Sequence, residues 1–530
     1  MSELDAVLRR LELLESEQAE LRQERDAYRD LYQDMLERCR KLELGLRGQA
    51  SEKLPNDAQL SFQMLQMLLA EDGETDLGEL EEEAQPVRSH KRRKPTGRKP
   101  IPEHLPRVEV KILPDEVIRG GTDAFDQIGE DVTEVVERRP ASLVVARITK
   151  PKYVRKDRDK ANTEVFVGET PELPIPRGLA GPGLLADTLV RRWQDHMPLN
   201  RLQSVYAREG LELSKQTMCG WHLELANLAE PLLAAMRQDA FDEPYLCVDA
   251  TGVLVQAPDR CKGGHFWVLV APEKHVLFEF TERHNNHAVD SVLAGYEGYL
   301  VADAHVVYDH LYTDGDVIEV NCWAHCRRYF FRALESDPER AKIALGLIGA
   351  LFKIERSLKT SPRKKKEKLR KKHSKPIVDR FFSWCEATWP ELYESTPLYD
   401  GVRYARNQRQ GLERFLEDGR LPIHNNMSEL NLRRQAIGRK NWLFVGSPDG
   451  GRANAVFTSL LASCQLHDIE PWGYLRDLLC LLPSWSSHRL LDLAPAYWRE
   501  TLSREDVLGP LGRNPYRTIA LRGHLGLPDV

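Results

Sequence analysis

Three carboxylates stand out by the company they keep. Asp249 interrupts the apolar run "LCVDATGVLV", Asp303 ends "YLVA", and Glu429 lies in "NNMSELNLRR", where a helical segment turns basic. A carboxylate set in strand material is costly to bury without a partner or a metal. Three oxygen ligands of this kind suit magnesium or manganese, which bind carboxylates together with substrate phosphates. Two such ions about 4 Å apart activate a water or a hydroxyl and stabilise a leaving oxygen. The chemistry these types point to is metal-assisted attack on a phosphodiester. Among 81 acidic residues the trio is a weak signal alone, and an acid in a first helical turn is common. The surrounding elements must decide.

Basic residues accompany the acids. Arg433, Arg434, Arg439 and Lys440 follow Glu429 within about three helical turns and form a candidate phosphate-facing surface. In "CWAHCRR", Cys322 and His325 stand three apart with Cys326 adjacent, but no second ligand pair lies nearby, so a closed zinc site lacks support. The run "PRKKKEKLRKKHSK", residues 362–375, reads as a solvated loop ahead of a defined DNA contact.

Elements that would position these groups follow from the patterning. "PYLCVDATGVLV", "HFWVLVAP" and "HVLFEFTE" read as three short strands with tight links. A helix "HAVDSVLAGY" and strands "YLVADAHVV" and "VIEVNCWAH" come next. Three antiparallel strands, a helix and further strands are the order of a ribonuclease-H-like core, in which Asp249 and Asp303 fall on neighbouring strands. Upstream, "LNRLQSVYAREGLELSKQTMCGWHLEL" has a helix, a turn at Gly210 and a second helix that Ser214 caps. In this helix-turn-helix outline Lys215, Gln216 and Thr217 occupy the place where a recognition helix meets bases.

The N-terminus carries a heptad seam from Leu4 to Leu46, broken only by Gln18 and Arg25, which reads as a self-associating coiled coil. The whole chain is organised as a multidomain α+β protein. Its parts are a coiled coil (1–47), an acidic then basic linker (48–106), a β-rich module (107–183) and a helix-turn-helix-like domain (184–243). The first part of the core (244–336), a helical insertion (337–420), the Glu429 helix with a glycine-rich segment (421–452) and a helical C-terminal tail (453–530) complete it. Net charge is −6, so any nucleic-acid grip is local, as in "KRRKPTGRK". Nine irregularly spaced cysteines and the lack of a signal core or long apolar run indicate a reducing, cytoplasmic setting without a membrane partner.

The stretches "IPRGLAGPGLLADTLVRRWQDHMPLNR", "CWAHCRRYF", "RNQRQGLERFLEDGRLPIHNN" and "AIGRKNWLFVGSPDGG" occur in order. In them the chain resembles the insertion-sequence-66 family of bacterial Asp-Asp-Glu transposases, from about "GRKPIPEHLPRVEV" to the C-terminus. The resemblance implies Asp249, Asp303 and Glu429 as catalytic acids holding Mg²⁺ or Mn²⁺. It implies double-stranded DNA as partner, both terminal inverted repeats and target. A homo-oligomer through the coil, accessory proteins of the element and a nucleoid-associated bacterial location go with it. His325, Arg327 and Arg328 are expected to face DNA or, with Cys322, Asn425 and Asn426, to support the acids; a packed structural histidine is the alternative for His325. The chain departs from the pattern at Ala250, where the family usually has Glu, and at His424, where it has Asp. Clustered cysteines usual in the β-rich region are missing, since none lies between Cys39 and Cys219. No zinc is expected there, and "LVVARI" is the material for an apolar core instead. A nuclease of the same core that cuts without joining and a non-catalytic DNA-binding relic are the competing readings.

Overall fold

In a computed structural model of the chain, the structure describes residues 101, 103, 105–139, 142–156, 164–258, 260–313 and 315–521. The expected coiled coil, the acidic linker and most of the basic arm lie outside them. Residues 321–424 form one compact unit, and 101–320 with 425–521 form another.

The first sheet of the larger unit uses β1 (Arg107–Lys111), β2 (Phe125–Arg139), β3 (Ser142–Arg155) and β4 (Val165–Val167), with the short helix α1 (Asp115–Gly120) between β1 and β2. Its order is β1-β3-β2, and β4 pairs with β3. The run "LVVARI" lies on β3. Val144, Ala146 and Ile148 pack with Val135, Tyr516 and Ile519, while Leu143 and Val145 join a larger core with Val136. A strand covered on both faces needs a continuous apolar run.

Three helices follow: α2 (Pro182–Trp193), α3 (Leu199–Arg208) and α4 (Lys215–Phe241). The start of α2 is pinned to β2 by a buried acid. Glu137 accepts from Leu184 N at 2.8 Å and from Arg138 N at 2.7 Å. Its carboxylate occupies the space where side chains on Gly181 and Gly183 would begin. The "GPG" of the sequence is therefore a close-approach site. Burial outweighs the two N–H donors and the nearby Arg476, and pushes Glu137 up to about 8.

The second sheet begins with β5 (Tyr245–Val255), β6 (Lys262–Ala271) and β7 (His275–Thr281), an antiparallel meander. Helix α5 (Asn286–Leu293) then leads to β8 (Gly298–Ala302) and β9 (Val317–Asn321). Two expected strands are shorter than the apolar runs that mark them. "YLVADAHVV" leaves the sheet after Ala302, because Ala304 takes a φ of 54° and Val306–Tyr312 winds into a 3₁₀ turn. "VIEVNCWAH" stops at Asn321, because Trp323 begins a helix.

The unit 321–424 contains α6 (Trp323–Arg332), α7 (Pro338–Ser357), α8 (Arg363–Leu369), α9 (Lys375–Thr388), α10 (Pro397–Asn407) and α11 (Arg409–Glu413). The rings of Trp323, Phe330, Phe381, Phe382 and Phe415 interlock in its core. The basic run 362–375 is not a loop. It forms α8 and a π-helical turn, Arg370–Ser374, around a fully buried Arg370. That guanidinium meets both oxygens of Glu355 at 2.7 Å and donates to the carbonyls of Asp418 and Leu421 at 2.9 Å. Pairing of this kind is what makes a buried charge tolerable.

The chain then returns to the larger unit through α12 (Asn426–Trp442), β10 (Phe444–Val445), α13 (Pro448–Leu466), α14 (Pro471–Leu481), α15 (Trp498–Thr501), α16 (Glu505–Arg513) and α17 (Pro515–Leu521). The sheet order is β7-β6-β5-β8-β9, and β10 pairs parallel to β5. The C-terminal helices are not a detached tail. α13 covers the edge strand β7, where Ser459 and Ser463 accept from Phe278 N at 2.7 Å and Val276 N at 3.1 Å. α17 supplies Tyr516 and Ile519 to the first sheet. Among the described residues no helix is long and apolar enough to cross a membrane.

Because Glu137 holds its proton more tightly folded than unfolded, its contribution to stability is fully present below its ordinary value of 4.5 and is lost as pH rises through about 8. Unfolding free energy should fall by about 1.4 kcal/mol per pH unit across that window from this one group. Glu137→Gln should flatten the dependence, as read by denaturant titrations between the two values. An unchanged slope in the variant would remove Glu137 as its source.

Candidate active site

Asp249 and Asp303 come together through strand register. Cys247 on β5 lies opposite Val301 on parallel β8, so the residues two further on in each chain, Asp249 and Asp303, stand at matching levels of adjacent strands. Neighbouring strands run about 4.8 Å apart. Both aspartates are half-buried. Each is steadied by nearby backbone: Asp249 Oδ1 accepts from Ala250 N at 2.7 Å, and Asp303 Oδ1 from His305 N at 3.3 Å. A common neighbour marks their convergence. The buried phenol of Tyr308 is raised well above its ordinary range by burial first, then by the charges of Asp303 and Asp249.

Glu429 reaches the same edge by a different route. β8 stops at Ala302, and β10 takes up the same side of β5 only at Leu254. Between them the β5 edge offers backbone groups that no strand answers, and α12 supplies side chains instead. Asn425 Nδ2 donates to the Val248 carbonyl at 2.8 Å, and the Arg439 guanidinium donates to the Gly252 carbonyl. Glu429 N in turn donates to the Asn425 carbonyl at 3.4 Å. The glutamate thus sits in the first turn of a helix whose start is hooked beside Asp249.

Among the described residues, no three His, Cys, Asp or Glu side chains are drawn together tightly enough to cage an ion by themselves. The donor set still fits a hard cation. Magnesium is usually held by one or two carboxylates, several waters and substrate phosphates, not by an all-protein cage. Two aspartates at matching register with a glutamate on the adjoining helix supply such a set.

Sequence reasoning missed the aromatic wall beside the aspartates. His284 stacks on Trp267 at 4.9 Å and on His265 at 4.8 Å, and its edge meets His305 at 4.9 Å. Trp267 lies across from Ala250, and Tyr308 meets it edge-on. Burial, then His284, pushes His265 down to about 4; burial, then His305, also lowers His284. Those two rings are therefore uncharged at neutral pH. The one signal available in sequence was "DAH", with His305 two residues after Asp303.

The basic residues divide into two groups. Arg433 and Lys440 are exposed on α12, whereas Arg434 and Arg439 turn inward. Arg434 donates to the side-chain oxygens of Gln194, at 3.0 Å, and Gln465. Lys215, Gln216 and Thr217 are exposed at the start of α4, and Ser214 caps that helix by accepting from Thr217 N at 3.1 Å. Gly210, at a φ of 86°, makes the turn before it.

Cys322, His325, Arg327 and Arg328 belong to the smaller unit. Cys322 and Cys326 are fully buried on α6 or at its start. Burial first, then Cys385 and Cys322, raises the Cys326 thiol well above its ordinary range, so it is a protonated core group. His325 and Arg328 are half-buried, and Arg327 donates to the Leu345 carbonyl at 3.2 Å. Asn425 is buried and Asn426 half-buried.

The chain is similar to known proteins over most of its length. The family model described as "Transposase IS66 family" matches residues 177–453, more than half of the chain, and "Transposase C of IS166 homeodomain" matches residues 35–110. Two similar proteins from Sinorhizobium fredii (strain NBRC 101917 / NGR234) are each 29% identical. The uncharacterized protein y4hP matches over 491 residues, 87% of this chain and 87% of its own. The uncharacterized protein y4qI matches over 475 residues, 84% of this chain and 86% of its own.

The hooks of α12 on β5 have a measurable weight. Asn425→Ala and Arg439→Met each leave a carbonyl of β5 without its donor and should cost about 1–3 kcal/mol in urea denaturation. Their effects should not add simply, since both act on one strand edge. If both variants unfold at the wild-type midpoint, α12 is held by something else.

Proposed function

We propose that this chain, which belongs to the IS66 family of transposases, cuts and rejoins DNA strands with Asp249, Asp303 and Glu429 as its metal-holding acids. The observation that carries the reading is the matching register of Asp249 and Asp303, with Glu429 on the helix hooked to the same strand edge. The topology of β5 to β9 is read as a ribonuclease-H-like core, interrupted by the helical unit 321–424.

A bound Mg²⁺ or Mn²⁺ pair supplies Lewis-acid polarisation of the phosphodiester and activation of the attacking oxygen. Asp249 within β5 and Asp303 just past the end of β8 would hold the metal that orients the reacting phosphate, and sheet elements position such groups more precisely than loops do. Glu429 closes the site from the helix side. In the first step a water oxygen attacks phosphorus, the P–O3′ bond breaks, and a 3′-hydroxyl and a 5′-phosphate result. In the second step that 3′-hydroxyl attacks a target phosphodiester and displaces the target's own 3′-hydroxyl. The neutral wall of His265 and His284 adds no cation to compete for the carboxylates.

DNA binding is assigned to the capped start of α4, with Lys215, Gln216 and Thr217, and to the exposed Arg433 and Lys440 on α12. Residues 4–46 are assigned to coiled-coil pairing of protomers, so that two element ends are held together.

Glu429→Gln preserves size and removes a charged ligand. With duplexes carrying the element's own ends, strand cleavage in Mg²⁺ should fall by orders of magnitude while band-shift affinity persists. Near-normal cleavage would sink the assignment. Wild-type protein that cleaves but never joins strands is a nuclease of the same core. Deleting residues 4–46 should lower the number of protomers per particle in sedimentation; an unchanged oligomeric state would refute pairing through that segment.

A further inference from the structure

A second feature of the larger unit has the chemistry of an anion site and lies apart from the acids. The end of α2, the start of α3 and the segment from Asn441 to Phe444 enclose a cleft of about 310 Å³. Its charged wall is Arg192, whose guanidinium lies 4.5 Å from the Trp193 ring and 5.4 Å from that of Trp442. Nε and Nη1 of Arg192 are buried and carry no hydrogen-bond partner. Burial pushes this arginine down to about 10, and the group that opposes the shift is the Cys219 thiol, not a carboxylate. The neighbourhood is positive as well: Arg434 contacts neutral amides, and burial followed by Arg434 and Arg192 lowers His196. Arg201 lines the same cleft and is exposed. A buried cation without a counter-charge is expensive, and an incoming phosphate would relieve it.

The rim is apolar where solvent would favour polar groups. Leu443 is 67% exposed and Phe444 40% exposed, and Leu443 is held at a φ of 59°. A positive φ at a bulky residue is strained and is retained where the surrounding structure imposes it. Exposed leucine and phenylalanine beside arginine are the parts with which proteins pry apart base steps. β10 pairs with β5 at Leu254, five residues from Asp249, so the rim stands roughly 17 Å along the strand from the acids. That is about five base steps.

Resting on the reading of DNA as substrate, we propose that this cleft takes one unstacked nucleotide of the bound duplex. Its phosphate sits on Arg192 with Arg201 beside it, and the Leu443–Phe444 tip fills the gap left in the stack. Stacking and cation contacts of this sort tolerate any sequence.

The experiment uses full-length protein and duplexes of the DNA that borders its reading frame, with 2-aminopurine placed at successive positions. Binding should brighten the probe at one position. A duplex left unpaired there should bind about tenfold more tightly than the paired one, since its unstacking is already done. Arg192→Gln and Phe444→Ala should each abolish both effects. Phe444 is exposed enough that its loss leaves the fold intact, so a failure of Arg192→Gln to fold leaves the test standing. A probe that stays dark at every position overturns the proposal, as does a tenfold preference that survives both variants. Tight binding without either effect removes only the cleft assignment; no binding to any duplex removes the DNA reading with it.

Discussion

The backbone of β5 has to be satisfied along an edge that no strand covers, and much of the candidate site depends on how that is done. β8 ends at Ala302 and β10 begins at Phe444, which leaves the edge from Val248 to Val253 between them. Unanswered backbone polar groups at a sheet edge are costly when buried and adhesive when exposed. Asn425 and Arg439 meet the Val248 and Gly252 carbonyls and lay α12 along the gap. The same early stop of β8 that opens the gap also puts Asp303 at a strand end. One interruption therefore provides a carboxylate, a place for a helix, and a second carboxylate on that helix.

The other open edge is treated similarly and has a different consequence. On β7, Ser459 and Ser463 of α13 bond to strand backbone. Serines are short, so the helix comes close, and Gly451 lies where any side chain would strike the Phe280 ring. The acid on that strand, Glu279, is paired with Arg237 at 3.5 Å, and the edge reads as structural. Along β5 the linking side chains are longer and the helix brings charge with it.

Buried charges separate into two kinds. Arg370 is paired with Glu355 and saturated with carbonyls, and Asp239 is bonded by Lys274, His275 and Tyr497. These are internally complete. Arg192, Arg434 and Arg439 instead meet rings, amides or a carbonyl, and burial lowers all three. No carboxylate stands among the groups that offset that burial.

Some of this was legible in the residues alone. Asp249 and Asp303 could be seen because a carboxylate inside an apolar strand run is rare, and Ser214 because a capping serine precedes a helical period. The apolar character of "LVVARI" marked a covered strand for the same local reason. Whatever depends on neighbours distant in sequence was not legible. The ends of β8 and β9 fell short of their apolar runs because turn geometry, not hydropathy, ends a strand. The basic run 362–375 looked solvated, yet Arg370 is buried because Glu355 and the carbonyls after Phe415 happen to face it. Four basic residues after Glu429 looked alike, and only helix packing sent Arg434 and Arg439 inward while Arg433 and Lys440 stayed out. Sequence by itself determined which groups are present and which local element each prefers, since those follow from side-chain chemistry and period. The tertiary structure decided which charges meet, because pairing depends on through-space distances that spacing along the chain does not encode.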